Sequence, residues 1–170
     1  YTTIDDPTSF FNTVLYTGNG STQSITGVGF QPDFLWLKRR DSSGWNYLQD
    51  VVRGAAKGLY SNATNVETDH STGGVTSFDS DGFSLGNYND ININSGTFVG
   101  WNWLAGGSAS SNSNGDITSS VSANTTSGFS IVSYTGTGSV ATIGHGLGVA
   151  PKLIIVKTRS YSNQAWPVDV

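Results

Sequence analysis

The sequence predicts an all-β protein: an antiparallel β-sandwich module of the jelly-roll-like type, followed by the opening strands of a second, similar β module. Three observations predict this fold. Short segments of alternating apolar and polar residues recur about every 8–12 residues, with turn residues between them. Glycine makes up 22 of 170 residues, and charged residues only 12%, about half the usual share. A long stretch of sequence also occurs twice.

The repeat divides the chain. Residues 11–20 read FNTVLYTGNG and residues 129–138 read FSIVSYTGTG, an offset of about 118. Each copy continues through a glycine-rich stretch to a proline, Pro32 or Pro151, and then to an apolar segment that ends in basic residues. We therefore predict a first module with its lead-in over residues 1–104, a flexible Gly/Ser/Asn linker over 105–116, and a partial second module over 117–170.

The individual strands follow from alternation and from β-branched and aromatic residues. Residues 11–16 and 21–25 are expected to form a hairpin around Gly18-Asn19-Gly20, and residues 33–40 a central strand, because they are apolar on both faces. Residues 90–95 are expected to form an edge strand, and residues 97–104 the closing strand of the first module. The other predicted strands are residues 45–52, 75–78, 82–86 and 117–121.

Composition limits the classes of function. The net charge of −4 and the pI near 4.8 argue against binding to nucleic acid. No run of 18 apolar residues is present, so no membrane insertion is expected. The chain contains no cysteine and no methionine, which removes thiolate nucleophiles and thiolate metal ligands. We expect no cofactor.

The residues that carry chemistry do not form a recognisable motif. His70 lies in a polar loop and His145 in the glycine stretch of the second copy, and neither recurs in the other copy. The segments from Asp79 to Asp81 and from Asp90 to Asn94 resemble parts of a calcium loop, but neither completes the ligand pattern. A tight turn and an edge strand are favoured for them, and a calcium site of another type stays open. An enzyme is not expected.

Aromatic residues are the more serious candidates for binding. Trp45, Tyr47, Tyr60 and Tyr88 lie at predicted strand ends or in loops, among Asn, Asp and Ser. Exposed rings flanked by amides are typical of surfaces that bind glycans or protein partners. The alternative is that the tyrosines close the edges of the sandwich while the tryptophans fill its core; those tryptophans are Trp36, Trp101 and Trp103.

The string YTGNGSTQSITGVGFQPDFLWLKRR, followed by DVVRG, SFDSDGFSL, FVGWNWLAGG and GDITSSVS, resembles a repeated module of virion structural proteins from tailed bacteriophages of marine and cyanobacterial hosts. The module is a domain of unknown function. The resemblance implies a non-enzymatic tail-fibre, tail-associated or capsid-attached protein that is assembled in the host cytoplasm and acts outside the cell. Its implied partners are other virion proteins or further copies of itself. A lectin-like module that binds host surface glycans is the alternative.

Overall fold

The computed structural model describes residues 4–163 and 166–169, and its regular secondary structure is almost entirely antiparallel strands. This confirms the predicted fold class: an all-β, sandwich-like protein. A 3₁₀ turn at Pro7–Ser9 precedes the first strand, and one short helix, α1 (Asn89–Asn92), precedes β9. The strands are β1 (Phe11–Thr17), β2 (Gln23–Thr26), β3 (Phe34–Arg39), β4 (Asn46–Asp50), β5 (Lys57–Tyr60), β6 (Thr68–Asp69), β7 (Val75–Asp79), β8 (Gly82–Leu85), β9 (Thr97–Trp103), β10 (Ser110–Asn112), β11 (Ser119–Asn124), β12 (Phe129–Ser133), β13 (Ile154–Ile155) and β14 (Val168–Asp169).

Two sheets enclose the core of the first unit. The larger sheet has the order β1-β9-β3-β4-β5-β6, and the smaller has the order β2-β8-β7. Leu35 and Leu37 project from β3 against Phe83 of β8, and all three side chains are fully buried. Gly100 of β9 leaves room for this contact, because a Cβ there would lie only 3.1 Å from Leu37 Cδ2. The apolar alternation of β3 therefore holds the two layers together.

The sheet connectivity corrects one prediction. β2 pairs with β8 and not with β1, so Gly18-Asn19-Gly20 is not a hairpin turn. Instead the chain passes from one layer to the other there, and the Gly18 and Gly20 amides donate to Gly96 O and Asn92 O. The predicted closing strand forms as β9, and it lies between β1 and β3 in the larger sheet. Short-range alternation identifies these strands but does not determine their neighbours.

Residues 90–95 do not form the predicted edge strand. They include most of α1, in which the Asn92 amide donates to Tyr88 O. Asn92 is fully buried, and its side chain donates to Ser21 O and Gly86 O at 2.5 and 2.6 Å. Apolar and polar residues alternate in this segment, as in a strand. The Asn92 side chain nevertheless makes hydrogen bonds to backbone carbonyls, and the segment does not pair with a sheet.

The second unit begins in the segment that was predicted as a flexible linker. Residues 105–116 include β10, which pairs with β11, and β12 completes a three-stranded sheet. The fully buried Asp33 accepts hydrogen bonds from the amides of Ala105 and Gly107, at 2.8 and 2.9 Å. These bonds fix the first residues of the segment to the first unit, so they are not a free spacer.

A charged contact joins the two units near β6. Glu67 accepts from Arg53 of the first unit at 3.1 Å and from Arg159 of the second at 2.8 Å. Burial alone would raise the pKa of Glu67, but the hydrogen bonds from Arg159 and Arg53 outweigh it and lower that pKa. The Trp166 indole nitrogen donates to Tyr60 O and Ala63 O in the same region. The second unit is therefore attached at both ends of its described sequence.

Candidate functional site

The candidate site is a group of rings at one end of the larger sheet, which we call the aromatic–histidine cluster: Trp45, Tyr47, Tyr60, His70 and Tyr88. Adjacent strands bring the first three together, since Tyr47 of β4 lies directly opposite Tyr60 of β5, and Trp45 immediately precedes β4. His70 follows β6 and Tyr88 precedes α1. Residues from four separate elements thus converge on one position.

The rings contact one another mainly edge to face. Tyr47 lies at the centre, with ring centroids 5.0 Å from Tyr60, 5.5 Å from His70 and 5.9 Å from Tyr88. Trp45 packs on the outer side of Tyr60 at 5.3 Å, and His70 contacts Tyr88 at 4.6 Å. Such pairs contribute about 0.5–1.5 kcal/mol each beyond their buried area. The cluster therefore stabilises this end of the sheet as well as forming a surface.

Hydrogen bonds fix the polar atoms of the cluster. The Tyr47 hydroxyl donates to Asp90 Oδ2 of α1 at 2.8 Å. His70 Nε2 lies 3.0 Å from the Tyr60 hydroxyl and 2.8 Å from Thr68 Oγ1, and these two oxygens are 2.6 Å apart. Each of these buried polar groups therefore has a protein partner, which is what a structural network requires.

Burial also controls the protonation of the cluster. Desolvation raises the pKa of Tyr47 far above its ordinary value, and the hydrogen bond to Asp90 adds to this effect. Desolvation likewise raises the pKa of Tyr60. Burial lowers the pKa of His70, although the negative charges of Asp69 and Asp90 partly oppose it. At neutral pH the two tyrosines and the histidine are therefore uncharged, and neither tyrosine is an activated nucleophile.

The structure brings all four predicted contact residues into one cluster but does not expose them equally. Tyr47 and Tyr60 are only 1% and 6% exposed, whereas Trp45 is 41% exposed and Tyr88 is half-buried. Only the latter two can offer a ring face to a ligand, and the binding role of all four stays a prediction. His70 was expected to be an ordinary loop residue. Its place in the cluster depends on the pairing of β5 with β6, which no local pattern indicates.

The tryptophans assigned to the core in the alternative interpretation lie elsewhere. Trp36, Trp101 and Trp103 are half-buried on the face of the larger sheet that points away from Leu35 and Leu37. Trp36 and Trp101 contact edge to face at 5.8 Å, and Trp103 stacks on Phe129 of the second unit at 6.2 Å. Tyr47 and Tyr60 of this sheet belong to the core, although the same interpretation placed the tyrosines at the edges.

The two acidic segments have structural partners. Asp81 lies in the turn between β7 and β8, and its carboxylate accepts from the amides of Gly27 and Gly29 at 3.0 and 2.6 Å. Asp79 accepts from Ser77 and Ser84, both at 2.7 Å. Within the described ranges, no group of three acidic or histidine side chains lies close enough together to hold a metal ion. Calcium binding at either segment remains a hypothesis.

His70 should make stability depend on pH. Its pKa is below the ordinary 6.5 in the folded chain, so the unfolded chain takes up a proton first as the pH falls. The contribution of neutral His70 is complete above about pH 6.5 and decreases as the pH falls toward its folded pKa. Urea unfolding between pH 7 and pH 5 should therefore show a larger loss of stability for the natural chain than for His70→Gln. Equal slopes for the two proteins would contradict this assignment.

Residues 6–170 match a family described as a domain of unknown function (DUF7483), so the chain belongs to that family. Comparisons with curated proteins and with solved structures gave no match. In the part of the chain that the structure describes, no helix is long and apolar enough to cross a membrane.

Proposed function

We propose that this protein is a non-enzymatic structural component of a bacteriophage particle, in a tail fibre, a tail-associated protein or a capsid-attached protein. The observation that carries the proposal is what the internal repeat preserves. The residues shared by the two copies are turn glycines, strand cores and the proline before the central strand, such as Pro32 and Pro151. A repeat of this kind supplies scaffold, as expected for a protein that builds an assembly.

The state of the polar residues supports a structural role. The titratable groups in the aromatic–histidine cluster are uncharged or hydrogen-bonded within the fold, as the bond from Tyr47 to Asp90 illustrates. The buried carboxylates hold the chain together: Asp33 binds the start of the second unit, and Asp50 binds Arg53. Each of these carboxylates thus makes a contact that stabilises the fold.

The proposal is tested by locating the protein. An antibody raised against the purified 170-residue chain should label intact, gradient-purified phage particles in negative-stain electron microscopy, and the chain should be detected in the same particles by mass spectrometry. Gold particles concentrated on tails or capsids are the expected result. Detection in infected-cell lysate together with absence from purified particles would contradict a structural role in the virion.

Glycan binding is the second candidate, because Trp45 is exposed beside an amide. Asn62 accepts from the amide of Asn46 at 2.9 Å and donates to Gly44 O at 3.4 Å, so its side chain lies along the segment that carries Trp45. A ring face next to amide groups is the arrangement that sugars bind. The half-buried Tyr88 at the other side of the cluster could extend the surface.

Trp45→Ala tests this candidate. If Trp45 stacks on a sugar, the substitution should abolish signals on an array of bacterial surface glycans, because stacking contributes most of the contact area. Tyr161→Ala is the matched control, since Tyr161 is also an exposed aromatic residue but lies outside the cluster. Loss of binding in the Trp45 variant alone supports a glycan site. No binding by the natural chain, or equal loss in both variants, excludes it.

A further inference from the structure

The chain contains two Asn-Gly pairs, Asn19-Gly20 and Asn114-Gly115. Asparagine is thermolabile, and an Asn-Gly pair is the most reactive context for it, because glycine has no side chain to hinder attack by its own backbone nitrogen on the neighbouring asparagine side chain. In a folded protein the reaction also requires the backbone and the side-chain amide to move. The rate at each pair therefore depends on how firmly the fold holds both residues.

The first pair lies where the chain passes between the two layers, and hydrogen bonds fix both of its residues. The Gly20 amide donates to Asn92 O at 2.8 Å, and the Asn19 amide donates to Asn92 Oδ1 at 3.1 Å. The Asn19 side chain accepts from the Ser21 amide at 2.8 Å and donates to Thr22 O at 3.3 Å. Since Asn92 is fully buried, attack of the Gly20 nitrogen on Asn19 requires several of these bonds to break together.

The second pair lies in the exposed connection between β10 and β11. Asn114 is exposed, and no other residue in the described part of the chain hydrogen-bonds to its side chain. The Gly115 amide donates to Ser113 O, two residues back, at 3.0 Å, which is a single local bond of the γ-turn type. Gly115 has a φ of +152°, and a Cβ there would lie 2.7 Å from Thr142 O. The turn therefore requires glycine, and so retains the unhindered nitrogen next to a free asparagine side chain.

We propose that Asn114 is a site of spontaneous deamidation in the folded protein, whereas Asn19 is protected. Hydroxide removes the proton of the Gly115 nitrogen, which then forms a bond to Asn114 Cγ. The bond from Cγ to the side-chain nitrogen breaks, and this nitrogen takes a proton from water and leaves as ammonia. Water opens the resulting succinimide ring, at Cγ to give aspartate or at the α-carbonyl carbon to give isoaspartate. The net change is one water consumed and one ammonia released, without oxidation or reduction.

The modified turn is attached to the glycine-rich loop of the second unit. Asp116 accepts from the Thr142 amide at 2.9 Å and from its hydroxyl at 2.8 Å, and the Ile117 amide donates to Thr142 O at 3.1 Å. Asn114 O lies against Gly144, where a Cβ would be 2.6 Å from it. In isoaspartate this carbonyl becomes a carboxylate close to that of Asp116, and the main chain gains one carbon. Both changes oppose the present contacts, so deamidation loosens this attachment, whatever the place of the protein in a particle.

The experiment follows both pairs in the same protein. The natural 170-residue chain is incubated at 37 °C and pH 8, digested with chymotrypsin, and analysed by fragmentation mass spectrometry of the peptides 17–30 and 105–129. Asn114 should gain the mass difference between a hydroxyl and an amino group, and isoaspartyl methyltransferase should methylate the isoaspartate product. Asn19 should convert at least about tenfold more slowly, because it reacts only after local opening. In urea that unfolds the chain, the two rates should become similar.

Asn114→Gln is the matched variant, because glutamine would have to close a larger ring and reacts far more slowly. The position is exposed, so the variant should fold, and circular dichroism checks this. Hydrogen–deuterium exchange at residues 142–144 should become faster as the natural chain ages, while the aged variant keeps the exchange of the fresh chain. An intact Asn114, equal rates at Asn114 and Asn19 in the folded chain, or equal exchange in the aged natural chain and the aged variant would overturn the proposal.

Discussion

Replacement of Arg53 by alanine is expected to lower the free energy of unfolding by about 3–5 kcal/mol. The Arg53 side chain is only 6% exposed, and its guanidinium donates to Asp50 Oδ2 at 2.5 Å and to Glu67 Oε2 at 3.1 Å. It also donates to the backbone carbonyls of Lys57 and Leu48, at 3.1 and 3.0 Å. The alanine variant leaves the buried Asp50 carboxylate without its cation, and this unpaired charge dominates the loss. Urea unfolding at pH 7 measures the change.

Lys57→Gln is the control for Arg53→Ala. Lys57 pairs with Asp69 at 2.7 Å, but both side chains are substantially exposed. An exposed pair contributes about 0–1 kcal/mol, so this variant should remain close to the natural chain. Arg53→Lys should fall between the two, since lysine keeps the charge but cannot supply the guanidinium's several directed donors. Similar losses for Arg53→Ala and Lys57→Gln would show that burial does not determine the strength of these pairs.

Much of the fold could be predicted from the sequence because its signals are local. β3 is central because Leu35 and Leu37 point to one face while Phe34 and Trp36 point to the other, and this double-sided pattern is visible in six residues. The hairpin of β7 and β8 follows from the Asp-Ser-Asp-Gly turn between two apolar segments. Each of these features depends on neighbours within a few positions along the chain.

The features that could not be predicted depend on distant residues. The pairing of β2 with β8 joins segments about 60 positions apart, and nothing in the residues from Gln23 to Thr26 specifies that partner. The aromatic–histidine cluster has the same origin, because Tyr47 contacts His70 and Tyr88 only after β6 and α1 have packed against the sheet. The four predicted contact residues share one location, but their different exposure is a property of the tertiary structure.

The repeat shows that the same pattern can have different surroundings. Tyr16 and Tyr134 occupy equivalent positions in nearly identical strings, yet one is stacked on Phe98 and the other is exposed. Sequence similarity therefore predicts the strand in both copies and leaves its burial undetermined, since burial requires β9 and the smaller sheet.

Asn92→Ala should be the second strongly destabilising substitution, with an expected loss of about 2–4 kcal/mol in the free energy of unfolding. The Asn92 side chain donates to Ser21 O and Gly86 O and accepts from the Asn19 amide at 3.1 Å. It also accepts from Gln23 Nε2 at 2.6 Å. These bonds hold the crossing between the two layers to α1. Alanine removes all of them and leaves carbonyls in this region without a donor, at about 1–3 kcal/mol for each fully buried group.

Two matched variants identify the donated hydrogen bonds as the cause. Asn94→Ala changes the same residue type two positions along the chain, but Asn94 is exposed, so the loss should stay within about 0.5 kcal/mol. Asn92→Asp keeps the volume and the acceptor oxygens but places a carboxylate against the carbonyls of Ser21 and Gly86. It should therefore be at least as destabilised at pH 7 as Asn92→Ala, because the two oxygens then face acceptors without a proton between them. Thermal unfolding of the three proteins decides the question, and an aspartate variant as stable as the natural chain would disprove the assignment of the donated bonds.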